Sequence, residues 1–229
     1  MSRLSTLALS LALLFGVLHA QFPVVQRHDV RLADYAVNRI AVIGDSYTAG
    51  GEEGGIGARG WPSHVWRTLA QHGIAVTPTV AAESGSGYCT RGDRGSVYED
   101  LTVRAVRPTD RLVVFFGSRN DMAVDPTRLS VAMYGTFRMA RQIARSAKFL
   151  VIGPAWPTAD PPPAVRRIRD VLGYQAELAG ATFVDPLAAR WFVGTRNLIG
   201  EDGVHPTDAG HVYLAGKIAP LIGTQLNPY

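Results

Sequence analysis

Five short apolar runs, interleaved with stretches of helical spacing, constrain this chain more than any other feature. They are "RIAVIG" (39–44), "IAVTPTVAA" (74–82), "RLVVFFG" (111–117), "KFLVIGPAW" (148–156) and "ATFVDP" (181–186). All are rich in small and β-branched apolar residues or Phe and mostly lack polar alternation, the pattern of strands buried on both faces in a parallel sheet. Helix-like segments occupy about 61–71, 126–146, 163–178 and 207–223. Strand and helix in turn predict an α/β fold, a three-layer α/β/α sandwich on a parallel five-stranded sheet. "DPPP" (160–163) reads as a rigid turn entering a helix.

The 229 residues suffice for one domain with a full core. A formal charge of +4 comes from Lys and Arg dispersed among carboxylates, with no long basic run, which argues against a nucleic-acid partner. Residues 1–20, "MSRLSTLALSLALLFGVLHA", place one arginine before an apolar stretch ending in Ala20. That is the composition of a secretory signal, with an uncleaved N-terminal anchor as the other reading. No second stretch of this kind follows, so no stable membrane span is expected in the mature form, and the expected location is secreted or cell-envelope associated. Residues 21–38 read as a linker and 39–229 as the folded domain. Cys89 is the single cysteine, so no intramolecular disulfide forms, and it reads as a small apolar filler.

Ser46 stands where the first strand gives way to a glycine-rich turn, in "IAVIGDSYTAGGEEGG" (40–55). Asp45 and Ser46 suit a helix N-cap, and Ser46 equally suits an exposed nucleophile. The second reading requires partners at the same edge of the sheet, because ligands of open α/β sheets bind beyond the carboxyl ends of the strands. The chain supplies them: "ESGSGY" (83–88), "GSRND" (117–121) and "DGVHPTDAGH" (202–211) follow the second, third and fifth runs. His205 suits a general base for the serine, and Asp202, three residues earlier in a glycine-containing turn, suits the group that holds its tautomer. The backbone N–H of Ser46, a glycine N–H of "SGSG" and the Asn120 side-chain amide are candidate donors for an oxyanion.

These residues resemble the SGNH, or GDSL-type, hydrolases, a superfamily of esterases and lipases. The resemblance lies in "GDSY" (44–47), "SGSG" (84–87), "GSRND" and "DGVH", and with the strand pattern it spans about residue 40 to the C-terminus. It implies a flavodoxin-like sandwich and a serine esterase or lipase that needs no metal or cofactor; with the signal-like residues 1–20, the expectation is a secreted serine esterase. It implies Ser46 as nucleophile and first oxyanion donor, Gly85 as second and Asn120 as third, with His205 as base and Asp202 as its orienting acid. Gly85 is preferred to its competitor Gly87 because it follows Ser84 in a Ser-Gly pair. The implied partner is an acyl ester on a small molecule, lipid or glycan; a non-catalytic glycan- or lipid-binding module on the same fold is the alternative. Tyr47 stands where many members carry leucine, a change expected in the wall near the nucleophile. Two residues rather than one separate Gly117 from Asn120. No Gly-x-Ser-x-Gly surrounds Ser46, which argues against the nucleophile elbow of the other common serine esterases. His64 and His72 fall on a helix, where surface or packing roles are expected, and His211 is expected to be structural.

Overall fold

The computed structural model describes residues 38–226. The proposed signal or anchor and all of the proposed linker except Asn38 lie outside them. Five strands, β1 (Asn38–Gly44), β2 (Val76–Ala82), β3 (Leu112–Phe116), β4 (Lys148–Ile152) and β5 (Thr182–Val184), form one parallel sheet in the order β2-β1-β3-β4-β5. This is the flavodoxin-like order, and its topological switch point falls between β1 and β3. Asn38 is the first residue of β1 rather than the end of a linker.

Successive residues of the central strands feed opposite cores, as a period of two demands. Ile40, Val42, Leu112, Val114, Phe116, Leu150 and Ile152 pack with α2 (Trp61–Gln71) and α6 (Asp208–Leu226). Ala41, Ile43, Val113, Phe115, Phe149 and Val151 pack with α3 (Tyr98–Ala105), α4 (Pro126–Ile143) and α5 (Pro163–Leu178). The expectation of burial on both faces therefore holds for β1, β3 and β4. It fails for β2 and β5, which form the two edges and are partly exposed. The edge position also explains how Pro78, which has no N–H, sits within β2.

α2 and α5 occupy the expected ranges, and α5 starts on Pro163, whose missing N–H costs nothing in a first turn. α4 ends at Ile143, three residues early, and α6 runs from Asp208 to Leu226. α3 was not expected. Its signal is nevertheless in the chain: Tyr98, Leu101, Thr102 and Ala105 are buried at helical spacing, and the Asp100 carboxylate accepts from the Val97 N–H. Tyr98 then pins the end of β3, its hydroxyl donating to the Phe116 carbonyl at 2.5 Å. Among the described residues no helix is long and apolar enough to cross a membrane.

Candidate active site

β1 ends at Gly44, and a single turn of helix, α1 (Ser46–Ala49), follows at once. The cap of that turn is Asp45, whose Oδ1 accepts from the Tyr47 N–H at 2.9 Å. Ser46 is thereby relieved of a capping role, and its Oγ lies 3.0 Å from His205 Nε2. On the other side of the ring, His205 Nδ1 lies 2.5 Å from Asp202 Oδ2. An ionised carboxylate only accepts, so Nδ1 carries the ring hydrogen and Nε2 is free to accept from the serine hydroxyl. Asp202 Oδ1 accepts from the Val204 and His205 N–H groups at 2.7 and 2.9 Å, folding the Asp-x-x-His turn on itself. Burial works against its charge, but these bonds and the His205 ring hold the Asp202 carboxyl below its usual value.

The second and third loops meet this pair across a cleft of about 550 Å³. Its lining includes Ser46, Gly85, Asn120, Asp202 and His205, with Glu52, Glu53, Asp93 and Arg119 as further charged groups and Met122 and Val204 as apolar side chains. Gly85 takes φ +73°, a left-handed conformation natural to glycine, and neither its N–H nor that of Ser46 donates to another group among the described residues. The Gly87 N–H is already spent on the Thr90 carbonyl at 2.8 Å. Gly87 is small for a different reason, since a Cβ there would meet the Asp121 carboxylate at about 2.5 Å. Asn120 donates through Nδ2 to the Ser86 carbonyl at 2.7 Å, and an amide nitrogen has a second hydrogen to offer.

Several contacts that shape the site escaped the sequence reading. Asp121, which reads as an ordinary loop residue beside Asn120, is buried and accepts from three backbone N–H groups, of Tyr88 at 2.8 Å, Cys89 at 3.0 Å and Thr90 at 2.8 Å. It ties the second loop to the third. Glu83, also buried, accepts from the Arg94 and Ser96 N–H groups and closes the base of that loop. Glu53 accepts from the Glu201 and Asp202 N–H groups at 3.3 Å and braces the histidine turn. Arg119, the extra residue in "GSRND", stacks its guanidinium 4.5 Å from the Trp156 ring centroid. Such carboxylates are hard to find in sequence because their partners are backbone groups, which carry no side-chain signal.

The other candidates resolve simply. His211 is buried and its Nδ1 accepts from the Trp61 N–H at 3.2 Å, a structural role. His64 lies on α2, and His72 caps it, exposed. Cys89 packs at the edge of the second core, where burial raises its thiol pKa.

Two buried groups bias stability in opposite directions with pH. Burial pushes Asp45 up from 3.8 to about 7, so the folded state holds its proton longer and stability is lost as pH rises through that window. Burial pushes His211 down from 6.5 to about 4, so the unfolded chain protonates first and stability is lost as pH falls through that window. In urea unfolding, Asp45→Asn should gain on the wild type by about 4 kcal/mol between pH 4 and 7, at 1.36 kcal/mol per pKa unit. His211→Asn, whose amide oxygen replaces the ring acceptor, should gain by about 3 kcal/mol in the reverse direction, from pH 6.5 to 4. Parallel pH curves for variant and wild type would contradict this assignment.

A family model described as the GDSL-like Lipase/Acylhydrolase family matches residues 42–213. The chain is 52% identical over 229 residues, covering 99% of both chains, to the GDSL lipase Rv0518 of Mycobacterium tuberculosis (strain ATCC 25618 / H37Rv). Among solved structures, TesA superposes with a TM-score of 0.64 at 22% identity, over 82% of this chain and 99% of that one. The psychrotrophic esterase EstA from Pseudoalteromonas sp. does so with a TM-score of 0.64 at 15% identity, over 83% and 99%. At these identities the two structures establish a shared fold.

Proposed function

Because the chain belongs to the GDSL-like lipase/acylhydrolase family and is a carboxylic ester hydrolase, we propose that it works through an acyl-enzyme formed on Ser46. The observation that carries this reading is the unbroken line from Asp202 Oδ2 through both nitrogens of His205 to Ser46 Oγ, at 2.5 and 3.0 Å. In the forward step His205 Nε2 takes the Ser46 proton as Oγ attacks the ester carbonyl. Asp202 stabilises the imidazolium, which then gives the proton to the departing alcohol. Water, deprotonated by the same nitrogen, then attacks the acyl carbon, and the Oγ–carbon bond breaks as the imidazolium returns its proton to Ser46 Oγ and the acid departs. The Ser46 and Gly85 N–H groups and the second Asn120 amide hydrogen receive the charge on the carbonyl oxygen.

The substrate is a carboxylic ester, with acyl lipids, short acyl esters and acetylated wall glycans as the classes to screen. The composition of residues 1–20 supports export, which the N-terminal sequence of protein recovered from culture medium would test. The hydrolase reading is tested by labelling folded protein with a fluorophosphonate, which reacts with an activated serine and not with a mere binding pocket. Labelling of the wild type and none of Ser46→Ala is expected; an unlabelled wild type would favour a binding module. For the oxyanion site, Asn120→Ala should lower kcat by about a hundred- to a thousandfold with KM little changed, since the contact forms only as charge develops. A change in KM alone would make Asn120 a substrate contact.

A further inference from the structure

We propose that Tyr47 is a positioning residue for the His205 base, an inference that rests on the hydrolase reading above. From the sequence, Tyr47 was expected to alter the cleft wall beside the nucleophile. It is instead 3% exposed and absent from the cleft lining. Its hydroxyl reaches a residue 157 positions away, donating to the Val204 carbonyl at 2.6 Å. Val204 immediately precedes His205, and its N–H is already held by Asp202 Oδ1 at 2.7 Å. Both polar groups of that backbone residue are therefore occupied, one by the acid and one by the neighbour of the nucleophile.

The ring of Tyr47 is itself clamped. It stands edge-on to Phe116 and Phe192, with centroids 6.1 and 6.2 Å away, and tilted against the His205 ring at 6.3 Å. Its N–H is fixed by Asp45. A side chain held at this many points transmits the position of α1 to the histidine turn. The Ser46–His205 spacing of 3.0 Å is thus set partly by a phenol hydroxyl that touches neither substrate nor proton. Leucine at this position fills space but offers no donor to the carbonyl.

The test is Tyr47→Phe, which keeps the ring and removes the bond. With p-nitrophenyl acetate, kcat should fall by about 10- to 100-fold, the scale of a sub-ångström to ångström misplacement of a reacting group, while KM stays within about twofold. The rate of fluorophosphonate labelling should fall in parallel, with far-UV circular dichroism and thermal melting showing a folded protein. Tyr47→Leu should show the same split between kcat and KM. Wild-type kcat and labelling rate in a folded Tyr47→Phe would overturn the proposal, as would a loss carried by KM, which would return Tyr47 to the substrate wall. Absence of labelling in the wild type would overturn the hydrolase reading and this inference together, and is told apart because it is seen before any variant is made.

Discussion

Replacing Ser46 by alanine should leave a folded protein whose kcat has fallen by about a thousandfold or more. The expectation of normal folding comes from the local geometry. Asp45, not Ser46, caps α1, and the Ser46 hydroxyl bonds only to His205 Nε2 among the described residues. Its loss opens no cap and no core cavity, since Ser46 is partly exposed at the cleft. The expectation of lost turnover comes from what remains. The described lining of the cleft holds one other hydroxyl side chain, Ser84, and no imidazole besides His205. Without Oγ the donors can still polarise a carbonyl, which accounts for a residual rate above that in water. Burst kinetics with p-nitrophenyl acetate should disappear with the variant, while binding of a non-hydrolysable ester analogue persists. Turnover at the wild-type rate would end the acyl-enzyme proposal.

Asp202→Asn should be nearly as damaging, lowering kcat by about a thousand- to ten-thousandfold, and by a mechanism that can be separated from misfolding. The asparagine carbonyl oxygen can stay where Oδ1 is and keep accepting from the Val204 and His205 N–H groups. The amide nitrogen then falls on the Oδ2 position and presents hydrogens to His205 Nδ1. A ring nitrogen that must accept on this side carries its hydrogen on Nε2, facing Ser46, and cannot take the serine proton. The wrong tautomer is held in an otherwise intact turn. The imidazolium that forms in the transition state also loses its carboxylate partner, which adds to the fall in kcat. Asp202→Ala holds neither tautomer but gives up the turn's two hydrogen bonds, and its melting temperature should fall where that of Asp202→Asn does not. A kcat equal in wild type and Asp202→Asn would mean that the Asp202–His205 pair is not the acid–base unit.

The central strands were legible because burial on both faces leaves an uninterrupted apolar run, as in "RLVVFFG" and "RIAVIG". α2 and α5 were legible because proline at the start and amphipathic spacing thereafter agree. α3 was overlooked since it is short and follows a long loop, so its four buried positions do not stand out. At the site, Ser46, Gly85, Asn120, Asp202 and His205 stood out because each is a residue type suited to acyl transfer just past a strand end, and all five line one cleft. Asp121, Glu53 and Tyr47 act by holding backbone groups of other loops, and Glu83 by holding those of its own. A backbone N–H or carbonyl has no letter in the sequence, and contacts made to one leave no pattern to read.

The Ser46–His205 contact joins residues 159 positions apart, and Tyr47 and Val204 bridge almost the same interval. Ser46 therefore meets its partner only once a loop of 159 positions has closed. β2 through β5 all lie inside that interval, so the contact closes across four of the five strands. A chain that stops short of residue 205 keeps Ser46 but has no His205, so on the acyl-enzyme proposal the chemistry waits for the histidine turn to be in place.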